Sequence, residues 1–145
     1  MLDFMQQAIQ QAKIGFYTGG IPIGAVLVYK NRIVGTGHNK RVQHGSAIEH
    51  AEMVALENAG RQTASFYKQC TMYTTLSPCI MCAGAILLYG IPRVVVGEDV
   101  NFRGAEGLLQ SRGVQVEVLQ NAECINMLGE FIAAHKTLWF EDIGV

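Results

Sequence analysis

The chain has 145 residues, 16% charged and 50% hydrophobic, with a formal net charge of −1 and a pI near 6.4. That length predicts one domain, residues 1–145, able to bury roughly two-thirds of the surface its unfolded chain exposes. The near-neutral balance leaves no electrostatic footprint for nucleic acid, and the apolar runs 21–29 and 79–89 fall short of the ~20 residues of a membrane span.

Residues 2–16 are expected to form an amphipathic helix, with Met5, Ala8, Ile9, Ala12 and Phe16 recurring on one face. Gly19-Gly20 breaks it. Two apolar, β-branched runs, 21–29 and 32–37, flank Lys30-Asn31 and predict a hairpin. Residues 38–45 have the composition of a polar loop. Ser46-Ala47-Ile48-Glu49 has the form of a capping box, which predicts a helix running to Ala59 and stopped by Gly60. A short strand at 70–75 leads directly into Ser77-Pro78. A capping hydroxyl followed by a residue with no N–H to satisfy marks a helix start there. That helix ends at Tyr89-Gly90, and Pro92 bars its continuation. Buried strands are expected at 93–97 and 114–119, with a short helix at 105–111 between them. A further helix covers 121–134, and the closing Leu138-Trp139-Phe140-Glu141-Asp142 sets aromatics beside acids. Strands alternating with helices predict a three-layer α/β domain whose mixed sheet opens with an antiparallel hairpin and continues with parallel strands. Ligands at two helix entrances would meet at the carboxyl ends of such strands.

The chemistry centres on Cys79-Ile80-Met81-Cys82. A lone Cys-x-x-Cys is a weak signal, shared by redox dithiols, structural zinc and chance. Here the two thiols fall on one helix face, at the positive end of the helix dipole, where thiolate is favoured over thiol. Upstream, His50-Ala51-Glu52 supplies an imidazole and a carboxylate. One imidazole with two thiolates is the Cys₂His set that leaves the fourth position of Zn²⁺ open for water. The redox reading has neither proline nor glycine between its cysteines and leaves His50 and Glu52 without a task. Structural zinc needs a fourth ligand; Cys70 and Cys124 are present, but their spacing does not recommend them, and both are expected to be ordinary buried cysteines. His-x-Glu followed by Pro-Cys-x-x-Cys is the pattern of zinc nucleobase deaminases.

In a regular helix His50 and Glu52 stand about 200° apart. They can serve one centre only from a helix's first turns, with His50 on the ion and Glu52 facing the open position. Two thiolates already neutralise Zn²⁺, so the zinc-activated water is expected to need a neighbouring base. Glu52 is the candidate, worth about 10²- to 10⁴-fold as proton carrier to the ring nitrogen and the departing amine. The bland alternative is a solvated helix glutamate.

The sequence further resembles the fungal-type, zinc-dependent cytosine deaminases of the cytidine deaminase-like superfamily. The similar segments are Gly19-Gly20-Ile21-Pro22-Ile23-Gly24, Gly37-His38-Asn39, Leu56-Glu57-Asn58, the stretch 73–90, Val96-Gly97-Glu98, Val100-Asn101-Phe102 and Trp139-Phe140-Glu141-Asp142-Ile143-Gly144. They cover nearly the whole chain, and the closing stretch is more specific than the zinc pattern. The resemblance implies a homodimer of α/β/α sandwiches with a mixed, mostly five-stranded central sheet, and one Zn²⁺ per chain on His50, Cys79 and Cys82. It implies deamination of free cytosine to uracil in pyrimidine salvage, with Glu52 as proton shuttle. It assigns Asn39 and Asp142 to the polar edge of the substrate, the Ala51 N–H to its carbonyl, Phe102 and Trp139 to an aromatic lid, and the Ser77 carbonyl to the leaving amine. Taken alone, Asn39 equally suits a turn, Phe102 and Trp139 a core, and Asp142 a solvated terminus. The chain departs from the fungal pattern at Ala51, where alanine replaces glycine as in guanine and tRNA adenosine deaminases, and over residues 103–107.

The scarcity of charge separately predicts a homo-oligomer, most simply a two-fold dimer. Four cysteines, two in a metal-like motif, and no export leader ahead of Leu2 lead to a cytoplasmic expectation. Alternatives are deamination of another small amino-heterocycle of the guanine, isocytosine, creatinine or pterin type, and tRNA adenosine deamination. The latter is expected to need phosphate contacts, whereas the closing Glu141-Asp142-Ile143-Gly144-Val145 has only Lys136 nearby. A zinc-stabilised binding module would make Glu52 dispensable. His44, His135 and Lys136 receive no role.

Overall fold

The computed structural model describes residues 2–145. Helix α1 (Phe4–Tyr17) begins where the Asp3 carboxylate accepts the Gln6 N–H at 3.1 Å. Strands β1 (Gly24–Tyr29) and β2 (Arg32–His38) form the expected antiparallel hairpin. Lys30 and Asn31 turn it in the left-handed region, at φ 48° and 62°, the geometry that suits the strands' twist. Strand β3 (Cys70–Leu76) pairs antiparallel on the other side of β1, while β4 (Arg93–Glu98) and β5 (Gln115–Val118) add in parallel, giving the order β2-β1-β3-β4-β5. The remaining helices are α2 (Arg41–His44), α3 (Ala51–Ala59), α4 (Ala64–Tyr67), α5 (Ile80–Tyr89), α6 (Glu106–Ser111), α7 (Ala122–Ala134) and α8 (Lys136–Asp142).

The sheet is covered on both faces, as the three-layer expectation requires. Ala25, Leu27, Met72, Val94 and Val96 point to one face and pack with α3, α5 and α6. The intervening Tyr73 and Val95 point to the other, against Met5, Ala8 and Ile9 of α1 and Cys124 of α7. Helix α3 lies unusually close to β2, because Gly35 and Gly37 offer it no side chain. A Cβ at Gly37 would fall 2.5 Å from the Ala55 nitrogen and 2.7 Å from the Ala51 carbonyl oxygen. Ala51, Ala55 and Ala59 supply the matching small face, and this seating sets the position of the α3 entrance.

Five expectations are corrected. The polar stretch 38–45 contains the short helix α2, and α4 falls where no element was expected. Strand β5 is a half-exposed edge strand rather than a buried one. Ser46 makes its capping contacts, accepting the Ile48 and Glu49 N–H groups at 3.2 Å each, but they close a turn. The Glu49 carboxylate that would complete the box binds His44 instead, at 2.9 Å, and the helix starts at Ala51 with extended His50 as its N-cap. Likewise Cys79, not Ser77, caps α5. The Ser77 hydroxyl donates to Glu106 at 2.6 Å, which removes it from the helix end.

Candidate active site

Both donor motifs sit at helix entrances. His50 is the N-cap of α3; Cys79 is the N-cap of α5, with Cys82 one turn further in. His50 Nδ1 lies 3.3 Å from Cys79 Sγ and 3.8 Å from Cys82 Sγ, and the three donor atoms fall within 4.8 Å of one another. Tetrahedral zinc with ordinary Zn–S and Zn–N bonds sets such donors about 3.6–3.8 Å apart, so these residues fit a zinc ion. Cys70 and Cys124 lie outside the cluster as buried free thiols, pushed by burial up to about 11 and about 12.

The charges around the donors reinforce one another. The hydrogen bond from Cys82 holds the Cys79 thiol down at about 4 against its burial, and the His50 contact adds to this. Cys82 shifts the opposite way, because it is the proton donor of the pair and is buried beside a thiolate. Burial would lower His50, but its hydrogen bond to Cys79 and the charges of Asp142 and Glu52 raise it to about 9. Glu52, 4% exposed, is raised to about 7 by burial, with the His50 charge only partly opposing.

Around this floor stands a narrow pocket lined by Asn39, His50, Ala51, Glu52, Ser77, Cys79, Phe102 and Asp142, together with Ile23, Leu76 and Ile143. Asn39, fully buried, donates through Nδ2 to Asp142 Oδ1 at 2.8 Å and accepts the Arg41 N–H at 3.0 Å. Asp142 Oδ1 also stands 3.6 Å from His50 Nε2 and 3.6 Å from Arg41 Nη1. Helix α8 thus returns to the α3 entrance through one carboxylate. Phe102 lines the pocket, whereas Trp139 is buried outside its lining and packs edge-to-face on Phe102, ring centroids 6.0 Å apart.

The pocket lining accordingly contains every residue expected at the site except Trp139 and Cys82, which is fully buried in the donor cluster. Three supporting residues were not expected: Arg41, Glu98 and Glu106. Glu98, fully buried, accepts the Val100 and Asn101 N–H groups at 2.8 and 2.9 Å and Asn101 Nδ2 at 2.8 Å, folding the segment that carries Phe102. An acid closing an apolar strand just before a polar turn was its available signal; nothing local marked Arg41 or Glu106.

A Cys₂His donor set with a buried carboxylate at its side fits a catalytic zinc site that keeps its fourth position open. The model of the cytidine and deoxycytidylate deaminase zinc-binding region matches residues 2–98. A cytosine deaminase of Candida albicans is 54% identical over 141 residues, spanning 97% of this chain and 94% of that one. A tRNA-specific adenosine deaminase of Streptococcus pyogenes is 38% identical over 138 residues, 88% of this chain and 87% of that one. A guanine deaminase from Nitrosomonas europaea shares the fold, with a TM-score of 0.68 at 23% identity over 90% of this chain and 83% of that one. The chain belongs to the zinc-binding deaminase family and is a zinc-dependent hydrolytic deaminase.

Proposed function

We propose that the chain hydrolyses free cytosine to uracil and ammonia. The observation that carries this reading is one narrow pocket lined by Glu52 and the donor residues His50 and Cys79 together with Phe102, Asn39 and Asp142. Phe102 offers an aromatic face and the Asn39–Asp142 pair polar groups, a combination suited to a single flat polar ring. The 54% identity to a cytosine deaminase supports the same substrate.

Zinc on His50, Cys79 and Cys82 supplies a Lewis acid that makes water a nucleophile near neutral pH. Glu52, buried beside the donor cluster, both takes and gives a proton. It receives one from the attacking water and passes it to the ring nitrogen, then takes the second from the hydroxyl added to the ring carbon and delivers it to the amine, which leaves as ammonia as the C–N bond breaks and the carbonyl forms. The Asn39–Asp142 pair offers donor and acceptor to the polar edge of the ring. Ala51 opens α3, so its N–H has no partner within the helix and serves the ring carbonyl. The Ser77 carbonyl accepts from the amine, and Phe102, held by Trp139, covers the ring face.

Exposed Ile80, Leu88 and Tyr89 along α5 support a homodimer; a light-scattering mass of one chain at micromolar concentration would contradict it. Four free cysteines suit a reducing compartment, in keeping with a cytoplasmic salvage enzyme. Among the described residues no helix is long and apolar enough to cross a membrane.

The test is ammonia release from cytosine, 5-substituted cytosines, guanine, isocytosine, creatinine and cytidine, with and without chelator. Cytosine should give the highest kcat/KM and cytidine none; a preference for guanine or creatinine would reassign the substrate. The 38% identity to a tRNA-specific adenosine deaminase of Streptococcus pyogenes favours a second reading. A salt-sensitive gel shift with tRNA would support it.

A further inference from the structure

Glu106 is 3% exposed at the start of α6, outside the donor cluster and the pocket lining, and the chemistry above gives it no task. Its Oε2 accepts the Ser77 hydroxyl at 2.6 Å, and Ser77 Oγ in turn accepts the Gly104 N–H at 2.9 Å. The next N–H, of Ala105, donates to the Pro78 carbonyl at 2.9 Å. Gly104 is pressed so closely onto this turn that a Cβ there would fall 2.0 Å from the Pro78 oxygen. Arg103 Nε stands 3.7 Å from Glu106 Oε1 but is largely exposed, and contributes little.

Ser77 is therefore held from behind. Its N–H donates to the Glu98 carbonyl at 3.0 Å and its hydroxyl to Glu106, while its own carbonyl oxygen takes no backbone hydrogen bond among the described residues. That free acceptor belongs to a pocket-lining residue. The same hydroxyl grips Gly104, two residues beyond Phe102. The single hydroxyl proton of Ser77 goes to Glu106, and its lone pair is left for Gly104.

We propose that Glu106 is a positioning residue that locks two pocket walls into one register: the Ser77 carbonyl and the Phe102 ring. This deepens the deaminase reading and rests on it. The test compares wild type, Glu106→Met, Glu106→Gln, Ser77→Ala and the Glu106→Met/Ser77→Ala double variant. Each is assayed for steady-state cytosine kinetics, zinc content, and acrylamide quenching of Trp139, the chain's one tryptophan. Glu106→Met should lower kcat/KM about 10- to 100-fold, the effect of leaving a buried hydroxyl unpaired. Zinc should stay at the wild-type level, and Trp139, which reports on Phe102, should be quenched more readily. Glu106→Gln, which keeps an acceptor, should restore both readouts. The double variant should be no worse than Glu106→Met alone. Wild-type kinetics and quenching in Glu106→Met would overturn the proposal, as would an activity loss that follows zinc loss or one that Gln does not restore. Wild type inactive on cytosine would instead overturn the substrate assignment, and the quenching comparison would still decide whether Glu106 places Phe102.

Discussion

Burial lifts the Glu52 carboxyl from an ordinary 4.5 to about 7, and that shift ties its chemistry to stability. The folded value lies above the unfolded one. Metal-stripped protein therefore bears no penalty below about pH 4.5, loses stability as pH rises towards 7, and carries the full cost of about 3 kcal/mol above it. Glu52→Gln removes the titrating group. The stripped variant should be more stable than stripped wild type in urea melts at about pH 8 and no more stable at about pH 4.5. An equal difference at both would show that Glu52 ionises normally. With zinc bound, the same variant should keep its metal and lose about 10²- to 10⁴-fold or more in kcat. At this scale the motif residues were legible because their spacing is local: His50, Glu52, Cys79 and Cys82 lie on two short stretches. Asn39 and Asp142 are 103 residues apart and bond to each other, so from the residues alone each suited a bland role, and only the resemblance paired them with a ligand. Ser77 was misjudged as a helix cap because the competing partner, Glu106, lies 29 residues away.

Elements with their own signals were legible. The Lys30-Asn31 turn, the Gly60 and Gly90 stops and the alternation of strands with helices all rest on neighbouring residues. What escaped was settled by packing: β5 is half-exposed because the sheet ends there, and α2 and α4 are single turns without a periodic face. The close seating of α3 on β2 makes its own prediction. Gly37→Ala drives a methyl into the α3 backbone, at a cost of about 1–3 kcal/mol for overpacking. Because the entrance of that helix carries His50, the variant should also bind zinc more weakly in a chelator competition. Unchanged stability and unchanged zinc affinity would show that α3 is positioned by something other than this seam.

For the whole molecule, the sheet brings two helix entrances to one place, and α8 closes over them through Asp142. His50 at one entrance and Cys79 with Cys82 at the other are separated in sequence but share one donor cluster, with Glu52 buried beside it. Activity, metal and fold are thereby linked. The most direct test is the zinc content of purified protein, followed alongside its ammonia release from cytosine as the metal is chelated away and then restored. Turnover should fall in proportion to zinc, from one ion per chain, and return with it. Undiminished turnover in protein freed of metal would contradict the account.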